Sequence, residues 1–427
     1  MKLEMQKVIV KDIQFGDKTA IENQTLFINK EEMIAELEKI DNVKAASLDL
    51  ARPGEKKRII PVKDVIEPRY RVNRGNQFPG VTGDIEQLGH GITKKMQGVA
   101  VVTVGDIVGF QEGIIDMWGE GAKWTPFSKT LNVVVDITPV EGLEPHEHET
   151  TCRLVGLLAS EYLGAALKEV EANETEVFEI EDVKTSIEKY PDLPRVAYAQ
   201  MMIAQGLLHD GYIYGVDVKQ ILPTLLNPLE ELDGAVISGN CVAACDKITT
   251  YQHQNNSVIL ELLKLHGKEI NFVASIMVPE LTILDGKFRT KDYTVKLCQL
   301  LGVDGVIVSE EGYGNPDSDL VMIAEGLEKS GIKAVLITDE CSGWDGDSQP
   351  LADAKEEARA VVSTGNVSHL VHLEPAEEVL GDAKAIANLA GGWEGSLDEE
   401  GNITCELNAI IGSTSEIGYH NLAVELH

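Results

Sequence analysis

From residue 234 onward, short apolar runs alternate with stretches whose apolar positions recur every three to four residues, the first suiting buried strands and the second amphipathic helices. Strands are expected at 234–238, 270–277, 305–309, 333–338 and 369–373. Helices are expected near 255–266, 290–301, 318–329 and 351–362, with Asn255 and Asn256 able to cap the first of them. Strands spaced by helix-length connections predict a doubly wound, mostly parallel α/β sheet, since a parallel pair needs a long crossover. The first 130 residues read differently. Short apolar segments at 7–11, 25–28 and 44–50, a helical stretch at 30–38, and dense glycines from 75 to 121 around the apolar run 98–105 predict an α+β region of many short strands. The expected division is therefore an N-terminal α+β domain, 1–232, followed by a doubly wound α/β domain, 233–427.

Between these regions lie an apolar strand, 131–137, and an amphipathic helix, 152–169. An acidic surface excursion follows at 171–190, and Pro191 and Pro194 close it. Residues 196–208 are apolar again. Pro145-His-Glu-His-Glu149 offers two histidines and two glutamates, yet acidic residues suit the start of a helix, and no convincing third and fourth ligands accompany His146 and His148. No metal is expected. Residues 391–427 carry an edge-strand pattern at 402–412 and no evident catalytic constellation.

The formal charge of −33 over 427 residues argues against nucleic acid and anionic membranes as partners, because both would be repelled. The chain start lacks a signal-peptide pattern, and no uncharged run is long enough to span a bilayer, so a cytoplasmic protein is expected. Six scattered cysteines then read as reduced thiols. Cys298 falls in a helical pattern as a small buried hydrophobe, which leaves Cys241 and Cys245 as the chemical candidates.

Both lie in Val236-Ile237-Ser238-Gly239-Asn240-Cys241-Val242-Ala243-Ala244-Cys245-Asp246. The run reads as a buried strand, a bend at Gly239 where backbone angles awkward for a Cβ are allowed, and a thiol just past it. In doubly wound sheets ligands collect beyond the carboxyl ends of the strands. That rim would carry 239–241, 309–315 and 338–341, the most polar connections of this half.

Here the chain resembles the alpha/beta proprotein of component B of the glycine, sarcosine and betaine reductases. The resemblance runs through Gly109-Phe-Gln-Glu-Gly-Ile-Ile-Asp-Met117, Thr125-Pro-Phe-Ser-Lys129, Gln205-Gly-Leu-Leu-His-Asp210, Ser238-Gly-Asn-Cys241, His253-Gln-Asn-Asn256, Val303-Asp-Gly305, Ser309-Glu-Glu-Gly312 and Gly314-Asn-Pro-Asp317. It implies self-cleavage at Asn240-Cys241, with Cys241 becoming a pyruvoyl group that binds the substrate amine as an imine. It also implies partners for an oligomeric, anaerobic enzyme of amino-acid fermentation: a selenocysteine-containing component B subunit, selenoprotein A and an acetyl-phosphate-forming component C. Candidate proton carriers for the cut are Cys245, His253, Glu310, Glu311 and Asp339, with local capping or packing an equal reading of His253. Two other readings stay open: an amino-terminal-nucleophile hydrolase using Cys241, and a non-catalytic α/β ligand-binding protein.

Overall fold

A six-stranded sheet organises the C-terminal half. Its order is Thr224–Leu226, Asn271–Glu280, Arg195–Ile203, Gly305–Ser309, Lys333–Glu340 and Val361–Asn366. The five longer strands pair in parallel, and Thr224–Leu226 adds an antiparallel edge. The computed structural model describes residues 1–72, 74–106, 111–206, 208–239 and 243–418. The Asn240-Cys241 bond thus lies outside the described residues, as do Leu207, Gly109 and Phe110 of the quoted motifs.

Both faces of this sheet are covered, which is why its strands read as nearly continuous apolar runs. Ala197, Ala199 and Met201 pack with Cys298, Leu301, Leu320 and Ile323 from the helices Leu284–Leu301 and Asn315–Lys329. Tyr198 and Phe272 belong to the opposite layer, with Val258, Ile259 and Leu262 of the helix Ser257–Leu265. Asn256 caps that helix, its Oδ1 accepting from the amides of Val258 at 3.0 Å and Ile259 at 3.2 Å.

Several expectations are corrected. Val236–Ser238 is a strand, but it pairs antiparallel with Gly211–Ile213 in a separate three-stranded sheet. The chain reaches it through a five-residue helix, Pro228–Leu232, rather than through a crossover from a parallel neighbour. A central position in the parallel sheet goes to Arg195–Ile203, so hydrogen bonding crosses the division expected at 232/233. In the other direction, Glu378–Gly381 pairs in parallel with Lys57–Ile66 of the N-terminal region. No helix forms at 351–362: Leu351-Ala-Asp-Ala-Lys-Glu-Glu-Ala-Arg-Ala360 has no stripe of large apolar residues to bury, and Val361–Asn366 is a strand. Leu370–Leu373 leaves the parallel sheet and pairs antiparallel with Ile403–Glu406.

The N-terminal region is built on two larger sheets and a small three-stranded one, Asp12–Phe15, Thr25–Ile28 and Ala20–Glu22, as short-strand patterning suggested. Glu174–Glu179, Lys2–Ile9, Gly91–Gln97 and Arg69–Arg71 form one, and the acidic excursion thus supplies its edge. Gly113–Asp116, Lys57–Ile66, Val99–Gly105, Leu131–Pro139 and Val43–Ala51 run in order through the other, which is completed by Glu378–Gly381 on Lys57–Ile66. Pro145–Gly164 covers its apolar face through Cys152, Val155, Ala159 and Leu163. His146 and His148 fall in the first turn of this helix. Among the described residues no helix is long and apolar enough to cross a membrane.

Candidate functional site

The carboxyl ends of the parallel strands converge on a group of buried acids. Glu280 ends one strand, Glu310 and Glu311 follow Gly305–Ser309, and Asp339 precedes the last residue of Lys333–Glu340. All four are at most 2 % exposed. Glu311 acts as a stitch: its carboxylate accepts from Ile203 N at 3.0 Å and Ile248 N at 3.1 Å, and its own amide donates to Glu280 Oε1 at 3.1 Å. It thereby ties the end of the central strand to the segment that follows Cys241. Thr338 Oγ1 donates to Glu310 Oε2 at 2.6 Å, and Thr414 Oγ1 donates to Asp339 Oδ2 at 2.8 Å.

Two further acids enter from loops. Asp246 comes from the segment after Cys245, and Glu416 from a C-terminal loop held against it by Gly412 N on Ala244 O, 2.9 Å, and Thr414 N on Cys245 O, 3.1 Å. Sequence reasoning missed both. Glu416 lies in a section with no local chemical signature, and only the loop's return to the rim makes it part of the group. Glu280 was also missed, although an acid closing a ten-residue buried strand is a readable signal.

Electrostatics follow from this crowding. Burial, then repulsion from Glu311, pushes the Asp246 carboxyl up to about 8. Burial followed by neighbouring acids also raises Glu280, Glu310, Asp339 and Glu416 well above the ordinary carboxyl range. Cys245 is fully buried, donates to Asn408 Oδ1 at 3.3 Å, and has its thiol raised well above the usual value by burial and by Asp246 and Asp339. A neutral thiol and protonated carboxyls are proton donors rather than bases near neutral pH.

The rim thus gathers Cys245, Glu310, Glu311 and Asp339, four of the residues singled out from sequence. His253 occupies different surroundings, a buried polar set in which its Nδ1 lies 3.1 Å from the Gln200 amide group and 3.4 Å from Glu231 Oε1. Asn256 Nδ2 donates to the same Glu231 oxygen at 2.8 Å, so packing and helix capping account for these contacts. His146 lies 4.8 Å between ring centroids from His209 with the rings tilted, and His148 is half-buried with its pKa lowered by desolvation and by Lys63. Among the described residues the grouping able to hold a metal ion contains neither histidine. It is Cys245, Asp246 and Asp339, whose ligand atoms lie within 4.8 Å of one another.

The residues flanking the expected cut are firmly held. Gly239 N donates to Asp210 O at 2.9 Å, and a Cβ at Gly239 would stand 2.3 Å from His209 O. Close backbone approach therefore requires this glycine; it is not among the glycines with positive φ, which corrects the expectation of unusual backbone angles. Lys247, fully buried and also missed, donates from Nζ to Gly239 O at 2.7 Å. Below Ser238 and Gly239 lies a cavity of ≈ 20 Å³, walled by Lys63, Asp64, Thr103, Glu149, Cys152 and Arg153.

Over residues 1–425 the chain matches the sequence model of the glycine/sarcosine/betaine reductase component B subunits. The chain belongs to this family. Component B relatives align from end to end: the chain is 51% identical over 426 residues to the glycine reductase complex component B subunits alpha and beta of Peptoclostridium acidaminophilum, covering 100% of both chains. It is 48% identical over 428 residues to the sarcosine reductase complex component B subunit alpha of the same organism, again covering 100% of each. A more distant relative is the D-proline reductase proprotein PrdA of Acetoanaerobium sticklandii, 22% identical over 358 residues, which are 78% of this chain and 54% of that protein. No solved structure matches the chain.

Proposed function

We propose that this component B chain is the substrate-binding pyruvoyl proprotein of a selenium-dependent amino-acid reductase, an oxidoreductase subunit cut between Asn240 and Cys241. The observation that carries the reading is the end-to-end match to component B subunits of glycine and sarcosine reductases. The word proprotein in the name of the D-proline reductase relative supports a processed chain.

In the proposed cut the Cys241 sulfur attacks the Asn240 carbonyl carbon, the C–N bond breaks, and the amine takes the thiol proton, leaving a thioester. A base then removes the Cys241 α-proton, and its electrons form the Cα–Cβ double bond as sulfur departs on the Asn240 thiocarboxylate. Tautomerisation and water release ammonia to leave the pyruvoyl end, and a second water releases hydrogen sulfide to leave the Asn240 carboxylate. Lys247 holds the Gly239–Asn240 peptide through the Gly239 carbonyl, and Glu311 anchors the segment beyond the cut through Ile248 N. Gly239 before the cut and Ile248 after it are thereby each held by a buried side chain. Glu310, buried at the same rim with its pKa raised by burial and neighbouring acids, is able to supply a proton. The flanking residues fit a carbonyl here, because Lys247 is a buried donor beside the segment.

A pyruvoyl group supplies an electrophilic carbonyl for a primary or secondary amine. Glycine and sarcosine meet that requirement and the quaternary nitrogen of betaine does not. The lower identity, 38%, to the betaine reductase complex component B subunit alpha agrees with this choice. The sequence contains no selenocysteine, so C–N reduction is assigned to a selenocysteine-containing component B subunit and selenoprotein A, with component C forming acetyl phosphate.

Intact mass after denaturation tests the reading. Two fragments of about 26 and 20 kDa are expected, in proportion to the residues on either side of the bond. The downstream one should be blocked to amino-terminal sequencing and labelled by hydrazine reagents, and Cys241→Ala should remain one unlabelled chain. An intact cysteine amine at the new end would favour the hydrolase reading, and an uncut wild-type chain would favour a binding protein. Under native conditions the fragments should stay together, since Arg195–Ile203 from upstream is paired between Asn271–Glu280 and Gly305–Ser309 from downstream.

A further inference from the structure

The rim gathers more buried carboxyl groups than its own lysines pair. Asp246 and Glu416 are 0 % exposed, and all four of their carboxylate oxygens lack a hydrogen-bond partner among the described residues. Asp339 Oδ1 and Glu310 Oε1 are unpartnered in the same way. The buried lysines described in this half donate elsewhere: Lys247 to Gly239 O, and Lys287 to Asn315 O at 2.9 Å and to Asp319. Leaving a buried carboxylate without a donor or a cation is strongly destabilising. Protonation of all these groups would relieve the charge, at the cost of taking up several protons on folding.

The geometry supplies a different solution. Cys245 Sγ and carboxylate oxygens of Asp246 and Asp339 lie within 4.8 Å of one another, a spacing a single ion can bridge. Thr414, two residues before Glu416, bonds both Cys245 O and Asp339 Oδ2, so the C-terminal loop borders the group. We propose that Cys245, Asp246 and Asp339 bind one divalent cation at the carboxyl rim of the parallel sheet. Two carboxylates with one thiol are a mixed oxygen and soft donor set, which suits Mn²⁺, Fe²⁺ or Zn²⁺ better than Mg²⁺ or Ca²⁺. Such an ion would tie the loop after Cys241 to the sheet. It would also release the thiol proton, because a metal-bound sulfur is a thiolate. This site was not expected from the sequence, where the metal question was posed only for His146 and His148.

The test uses the full chain, purified without oxygen. Elemental analysis should find one divalent transition metal per chain, and chelator-dialysed protein should take up Mn²⁺ at the same ratio, followed by electron paramagnetic resonance. Asp246→Asn and Asp339→Asn keep side-chain shape while removing charge, and each should weaken Mn²⁺ binding by at least about tenfold, with circular dichroism confirming the fold. The proposal is overturned if neither wild-type preparation holds or takes up Mn²⁺, Fe²⁺ or Zn²⁺ stoichiometrically, or if the double variant binds as well as wild type. Methylammonium protecting the chelated wild type against thermal unfolding, with no metal uptake, would also overturn it and assign the acids to a substrate amine. Cys241→Ala should still bind the ion, so a failure of the cleavage reading and a failure of this one are separable.

Discussion

Buried charge is handled in opposite ways in the two halves of the molecule. In the N-terminal sheets each buried cation meets an acid. Arg58 holds Asp116 through two hydrogen bonds of 2.7 and 2.8 Å, Lys63 reaches Glu112 at 2.9 Å, and Arg69 and Lys95 share Glu67 at 2.7 and 3.3 Å. At the carboxyl rim of the parallel sheet, Asp246 and Glu416 are equally buried with no hydrogen-bond partner among the described residues. Paired ions fix the register of a scaffold, and breaking one leaves its partner stranded. Unpaired acids at a ligand-binding edge are strained until something else supplies the charge, so the contrast separates framework from site.

The comparison breaks most visibly at Arg58. Arg58→Ala should cost about 3–5 kcal/mol in denaturant unfolding, because Asp116 stays buried without its partner; a loss under about 1 kcal/mol would show that the scaffold pairs are not what the contrast supposes. A pH series sharpens the other side. The Asp246 carboxyl is raised from its ordinary value of 3.8 to about 8 in the folded chain, so the folded state holds a proton that the unfolded state has released between those values. Chelated protein should therefore lose stability as pH rises from about 4 to about 8, by up to about 1.4 kcal/mol per pH unit from this group, with no further loss from it above that range. Thermal melts across the series give the measurement, and saturating Mn²⁺ should flatten the trend. The smallest effect is expected from Glu416→Gln. In chelated protein near pH 8 it should raise stability by about 1 kcal/mol, since the folded chain no longer has to bury this charge or take up a proton to avoid it. A clear destabilisation would mean that the carboxylate already has a partner.

Much of the C-terminal half was legible because its signals are local. The strand at 305–309 and the helix capped by Asn256 follow from runs and periods that each segment carries within itself. The placement of Glu310 and Asp339 on one rim follows as well, once strands alternate with helices and the sheet is parallel. Val236–Ser238 was legible as a strand but not by its partner, since three apolar residues suit either sheet. The region 351–360 was misread because alanines and charges satisfy helix propensity without providing a face to bury.

Alone, the sequence determined where most elements lie, that the second half is a parallel α/β structure, and that the family motifs run from one end to the other. Tertiary structure decided that Arg195–Ile203 lies between strands from beyond the expected cut, that Gly239 is needed for close approach to His209 O, and that Lys247 holds the carbonyl before Asn240. It also brought Glu416 across 170 positions of chain to Asp246. Periodicity and capping are written within a few residues, whereas strand order and charge neighbours depend on which distant segments bury each other's surface, and that choice is made only when the whole chain packs.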